Sequence, residues 1–214
     1  MNLVFDYDGT LHDSIVVYEP AFRYVMSELE RREGIVVPCV SQENIRYWIG
    51  LSAPDMWNSF MPELSQESKD FYSGLIGDMM VAFINEGKAR LYPRALETLG
   101  RLKEQGHELF FLSNCSCRYL QAHRSHFSLD EHFTAFYCAE DFGWQPKSHI
   151  FSQMKESWPQ LNSAMVIGDR RLDIAFAVDH GCTSVGCTYG YAQPGELAQA
   201  DYLIDYLSEL LLLV

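Results

Sequence analysis

From residue 93 onward, short apolar runs alternate with stretches of helical spacing, and this alternation restricts the fold more than any other feature of the chain. Pro93 is well placed as a first helical residue, with Leu96, Leu99 and Leu102 on one face and Gly106 closing the helix. The spacing then predicts a strand over Glu108–Leu112, a helix through Tyr119 and Leu120, and a strand near Thr134–Cys138. A helix from about Ser148, a strand over Ala164–Ile167, a helix over Leu172–His180 and a strand over Thr183–Cys187 come next, with a weak strand at Tyr202–Ile204 and a last helix. Strands separated by helices of 10–15 residues must cross over to lie parallel, which predicts an α/β, doubly wound parallel sheet.

The N-terminal end adds one strand and one interruption. Leu3-Val4-Phe5 is an apolar run ending in carboxylates and Gly9, as a buried strand does. Residues 14–87 then read as helical throughout. Phe22, Val25, Met26 and Leu29 recur at helical spacing, Ile45, Trp48 and Ile49 repeat it, and Phe71, Leu75, Met79 and Phe83 continue in steps of four. Ser41, Ser52 and Ser65 stand where N-caps belong, and Pro38 and Pro62 break the segments. Such a block is too long for a loop, so a Rossmann-like core is expected from residues 1–13 and 88–214, with 14–87 inserted as a helical cap.

Charge and composition exclude several classes of function. The 214 residues carry 16 Lys+Arg against 29 Asp+Glu, a net charge of −13. Phosphate backbones and anionic lipids attract basic surfaces, so neither nucleic acid nor membrane is an expected partner. Any anion must be handled by a few local groups or a metal. The start Met1-Asn2-Leu3-Val4-Phe5-Asp6 lacks the basic run of a signal peptide, and the apolar run Leu210 to Val214 is far short of the ~20 residues that span a bilayer. Six scattered cysteines then read as reduced thiols, and a cytoplasmic location is expected.

In doubly wound sheets the ligand site lies outside the carboxyl ends of the strands. Asp6-Tyr7-Asp8-Gly9-Thr10 stands after the first strand, Ser113-Asn114 after the second, and Gly168-Asp169-Arg170-Arg171-Leu172-Asp173 after the strand at 164–167. Asp6 and Asp8, two apart on an extended segment, would share a face, and like charges that close call for a cation or a proton between them. Mg²⁺ suits such hard oxygen ligands. A solvated acidic turn is the plainer alternative, while a calcium loop needs its glycine at the sixth position and Gly9 is fourth. Asp169, Asp173 and Ser113 could each serve as helix caps, and Ser113 with its neighbouring amides could instead bind a phosphate oxygen. Their joint placement at three strand ends favours a common site.

These residues carry a resemblance to the haloacid dehalogenase superfamily. The family's first motif, Asp-x-Asp-Gly-Thr-Leu, stands here as Asp6-Tyr7-Asp8-Gly9-Thr10-Leu11; the second matches Leu112-Ser113-Asn114, and the fourth Val166-Ile167-Gly168-Asp169-Arg170-Arg171-Leu172-Asp173. The pattern is most similar to the phosphoglycolate-phosphatase-like branch. The resemblance implies a Mg²⁺-dependent phosphatase acting on a small phosphorylated metabolite, as a monomer or small homo-oligomer. Asp6 would be the nucleophile that forms an aspartyl-phosphate, and Asp8 the group that protonates the leaving oxygen and then activates water. Asp6, the Asp8 backbone carbonyl and Asp169 would hold the metal, with Asp173 one layer further out. Gly9, Thr10, Ser113 and Asn114 would surround the phosphate, and Arg46, in the cap, would help shape the leaving-group pocket or lie on the surface. A phosphosugar mutase of the same branch and a non-catalytic phosphate-binding relative are the alternatives; dehalogenation is disfavoured because it uses neither Asp8 nor a metal.

The third motif departs from the pattern. The family commonly has Lys-Pro followed by Ile-Phe, whereas this chain reads Gln145-Pro146-Lys147-Ser148-His149-Ile150-Phe151. Either Lys147 reaches back to stabilise charge in the site, or the site lacks that cation and Lys147 lies on the surface at a helix start. Cys115, Cys117, His123 and His126 do not have zinc-finger spacing and read as parts of a helix. Met56, Trp57, Phe60 and Met61 read as cap core. Arg170 and Arg171 either touch substrate or are solvated.

Overall fold

The computed structural model describes residues 1–214. Strand β1 (Asn2–Phe5) is followed by helices α1 (Ile15–Glu33), α2 (Gln42–Trp48), α3 (Ala53–Phe60) and α4 (Gln66–Asn85). Alternation then begins: α5 (Ala95–Glu104), β2 (Glu108–Ser113), α6 (Cys117–Phe127), β3 (Ala135–Cys138), α7 (Lys147–Ser157), β4 (Ala164–Gly168), α8 (Arg171–Asp179), β5 (Thr183–Cys187) and β6 (Tyr202–Ile204). The sheet is six-stranded and parallel, in the order β3-β2-β1-β4-β5-β6. Chain order reverses at β1, which lies between β2 and β4. Phe5 is level with both Phe111 and Ile167, so the segments after these three strands emerge side by side.

Alternate strand residues feed opposite layers. Leu3, Phe5, Leu109, Phe111, Met165 and Ile167 join a buried cluster with α5, α6 and the C-terminal turn 207–212. Val4, Phe110, Leu112 and Val166 join another with α7 and α8. A third cluster is built from α1–α4, with Phe22, Ile45, Trp48, Trp57 and Tyr72 inside it. Tyr191, from the loop after β5, enters this third cluster, while Val81 and Ile84 at the end of α4 belong to the first. Ser41, Ser52 and Ser65 cap their helices, accepting from the amides of Asn44, Asp55 and Ser68 at 3.1–3.2 Å. No helix is long and apolar enough to cross a membrane.

Three elements differ from the sequence reading. Helix α5 begins at Ala95, because Arg94 takes a left-handed conformation (φ 63°) and stops Pro93 from starting it. The last helix is a 3₁₀ segment over Leu207–Leu212. In α4 the buried apolar residues are Tyr72, Ile76, Val81 and Ile84, whereas Phe71 is exposed beneath the Arg32 guanidinium. That helix packs against α1 and also against α6, so its apolar residues surround most of its circumference.

Candidate active site

Asp6 leaves the end of β1 with its amide donating to the Ile167 carbonyl at 2.8 Å, which anchors it between β1 and β4. Its carboxylate is buried, and Lys147 Nζ lies 2.7 Å from Oδ1. The same ammonium is 2.6 Å from Asp173 Oδ1. Lys147 is the first residue of α7 and is buried, while Gln145 and Pro146 before it are exposed. Lys147 therefore reaches the carboxylates and Gln145 faces solvent.

Asp169 stands just after β4 and is fully buried. Its Oδ1 accepts from Thr10 Oγ1 at 3.2 Å and its Oδ2 from the Tyr191 amide at 2.7 Å. Asp173, on the first turn of α8, accepts from the Arg170 amide at 3.0 Å through Oδ2. Glycine is required where the chain closes over these acids. At Gly9 (φ 90°) a Cβ would overlap the Asp169 carboxylate, and at Gly190 it would overlap both Asp169 and the Gly9 carbonyl oxygen.

Asp8 is not one of this trio and makes its own contacts. Its Oδ1 accepts from Tyr119 Oη at 2.7 Å and lies 3.0 Å from His12 Nδ1. Behind it, Tyr7 Oη meets His123 Nδ1 at 2.7 Å, and the His12 and His123 rings stand 4.3 Å apart. Ser113 is buried at the end of β2 and Asn114 is half-buried just beyond it; neither is joined to the four carboxylates by a hydrogen bond. Arg46 is not brought to the acids either. Its guanidinium lies over the Tyr191 ring, 5.0 Å from the centroid, and so touches the residue whose amide holds Asp169.

Arg170 does not lie free in solvent. It is 6% exposed, ion-paired to Glu196 at 2.9 Å, and donates to the carbonyls of Tyr47 and Ile49 in the helical block. It ties the start of α8 to α2. Gly190 and Tyr191 escaped the sequence reading. The signal was present, because Tyr189-Gly190-Tyr191 lies beyond the carboxyl end of β5 just as the acids lie beyond β1 and β4.

The charge balance of the buried group is unequal. Oxygens of Asp6, Asp169 and Asp173 lie within 4.8 Å of one another. Burial, and next the charge of Asp173, push the Asp6 carboxyl from 3.8 up to about 7, although Lys147 opposes them. Burial raises Asp169 well above the carboxylate range, reinforced by Asp6 and Asp173 and opposed by the Tyr191 amide. Burial pulls Lys147 down, but the charges of Asp173 and Asp6 outweigh it and hold the ammonium above the ordinary lysine range. Three carboxylates thus share one fixed cation. A hard divalent cation fits what remains: the donors are oxygens, they are close, and their excess charge is negative.

A family model for haloacid dehalogenase-like hydrolases matches residues 3–187. The chain belongs to that family. Among curated proteins it is 27% identical over 241 residues to a phosphoglycolate phosphatase of Mannheimia succiniciproducens, covering 98% of this chain and 96% of that protein. It is 25% identical over 219 residues to a phosphoglycolate phosphatase of Vibrio parahaemolyticus, covering 98% and 93% respectively. A haloacid dehalogenase-like family hydrolase from Streptococcus pneumoniae has the same fold, with a TM-score of 0.82 at 23% identity over 99% of this chain and 97% of that one.

Proposed function

We propose that the protein is a Mg²⁺-dependent phosphatase that hydrolyses a small phosphomonoester, of the phosphoglycolate class, through an aspartyl-phosphate on Asp6. The observation that carries this reading is the buried trio Asp6, Asp169 and Asp173 with Lys147 as its one ammonium. The names of the curated relatives supply the substrate class.

Mg²⁺ would be held by Asp6, Asp169 and the Asp8 backbone carbonyl, with Asp173 alongside, and would cancel phosphate charge that otherwise repels a carboxylate nucleophile. Lys147 favours the ionised form of Asp6 against the burial that raises its carboxyl, and fixes which oxygen faces phosphorus. In the first half-reaction an Asp6 oxygen bonds to phosphorus as the ester oxygen departs, taking its proton from Asp8. In the second, water gives a proton of its own to Asp8 and attacks the same phosphorus as the bond to Asp6 breaks, releasing phosphate and restoring Asp6. Tyr119 and His12 both engage Oδ1 of Asp8, which leaves Oδ2 to carry the proton.

Residues 14–87 act as a cap that covers the leaving group while the strand ends hold the phosphate. Tyr191 couples the two parts: its hydroxyl accepts from the Ile15 amide at 2.9 Å and donates to Asp13 at 3.0 Å, and its amide holds Asp169. The cytoplasm suits this reading, since the six cysteines are all free thiols. Phosphate release should be measured across small phosphorylated acids and sugars, with phosphoglycolate included, in Mg²⁺ and in chelator. Turnover of phosphoglycolate that is lost in chelator and in Asp6→Asn supports the reading; equal turnover in chelator refutes it.

A further inference from the structure

Apart from the acidic site, one other cluster has metal-ligand character. Cys117 at the start of α6, Cys138 at the end of β3 and Asp141 in the following turn bring their ligand atoms within 4.8 Å of one another. The sulfurs are 3.4 Å apart, Cys117 Sγ is 3.0 Å from Asp141 Oδ1, and Cys138 Sγ is 3.3 Å from Asp141 Oδ2. We propose that Cys117, Cys138 and Asp141 form a second cation site, selective for a thiophilic divalent ion such as Zn²⁺.

Geometry and chemistry agree on this assignment. Zinc with bonds of about 2.3 Å to sulfur and 2.0 Å to oxygen in a tetrahedron separates two sulfurs by about 3.8 Å and sulfur from oxygen by about 3.5 Å. The observed separations fall short of these by a few tenths of an ångström. Small outward shifts of the exposed Asp141 and the half-buried Cys117 side chains would open the place for the ion. Without a cation, both thiols donate to the one Asp141 carboxylate. The carboxylate is thus bridged by two protons. A divalent ion replaces both: two S–H bonds break, two sulfur–metal bonds form, and two protons leave to the buffer. Glu140 offers a further carboxylate, now accepting from the Cys117 amide at 2.7 Å, and Cys138 is level with Ser113 in the sheet. An ion here would therefore pin the segment Ser113–Cys117 to the end of β3. Mg²⁺ is a poor match for sulfur donors, so the two sites sort metals by ligand hardness.

The test uses the whole reduced protein, stripped of metal and then saturated with Mg²⁺ to occupy the carboxylate trio. Titration with Co²⁺ should produce a thiolate-to-cobalt charge-transfer band that saturates at one ion per chain. Zn²⁺ should displace Co²⁺ and release about two protons per ion in weakly buffered solution. Cys117→Ser and Asp141→Asn should each weaken binding at least about 100-fold, because loss of even a supporting residue costs about 10–100-fold. Asp141 is exposed, so Asp141→Asn folds and decides the matter if Cys117→Ser does not. Absence of the band, or an unchanged band in Asp141→Asn, overturns the proposal. So does a reduced protein that binds no Co²⁺ but loses two thiols to a disulfide oxidant, which would make the pair a redox couple instead.

Discussion

Lys147 Nζ lies 2.7 Å from Asp6 Oδ1, with each side chain only 7% exposed. Two groups so close and so dry interact far more strongly than a surface pair. Lys147→Ala should lower kcat/KM by roughly 10²–10³, the scale of losing a preorganised electrostatic group. It should also destabilise the fold by about 3–5 kcal/mol, since two carboxylates lose their buried partner. Gln145→Ala, at an exposed position, should change neither by much. Steady-state kinetics beside urea unfolding checks both; a crippled Gln145→Ala with a near-normal Lys147→Ala would reverse the assignment.

That contact shows where sequence stops being informative. The strand ends are legible because Leu3-Val4-Phe5 and Ala164–Ile167 are apolar runs that stop at carboxylates. Whether residue 145 or 147 supplies the third-motif contact is not, because it depends on where α7 starts. The helix opens on Lys147 with Pro146 outside it, and that turns the lysine inward. The burial of Arg170 is hidden for a similar reason: its partners, Glu196 and the carbonyls of Tyr47 and Ile49, are distant in sequence. The buried face of α4 escapes a periodicity argument because a helix with two packing partners has apolar residues on several faces.

Tyr119 should govern the chemical steps through Asp8. Its hydroxyl donates to Asp8 Oδ1 at 2.7 Å, and a hydrogen bond to a charged group is worth about 1.5–3 kcal/mol. Tyr119→Phe removes it and keeps the ring that packs against His12 and His123. We expect kcat to fall by about 10–100-fold with KM little changed. A variant whose KM rises while kcat holds would place Tyr119 in substrate binding instead.

The raised carboxyls make stability depend on pH and metal together. Asp6, raised to about 7 by burial and Asp173, keeps a proton that the unfolded chain releases near 3.8. Its contribution is therefore complete at acid pH and is lost as pH climbs through about 7, by a few kcal/mol. In chelator, wild type should lose urea stability between about pH 4 and pH 8, and Asp6→Asn should lose less because the amide does not titrate. Mg²⁺ competes with that proton, so it should stabilise wild type more at pH 8 than at pH 5. Parallel pH profiles for wild type and Asp6→Asn, with no Mg²⁺ effect at pH 8, would contradict this.

The most direct test of Asp6 as phosphoryl acceptor is to stop the reaction halfway. With an activated aryl phosphate the leaving group needs no proton, so Asp8→Asn should still transfer phosphoryl to Asp6 yet fail to activate the water that removes it. Mixing this variant with substrate and Mg²⁺, then quenching in acid, should show a burst of aryl alcohol equal to the enzyme. Mass spectrometry should find one added phosphoryl group on the peptide that contains Asp6. No burst and no added mass, or a phosphoryl group mapped to any other residue, would contradict the mechanism.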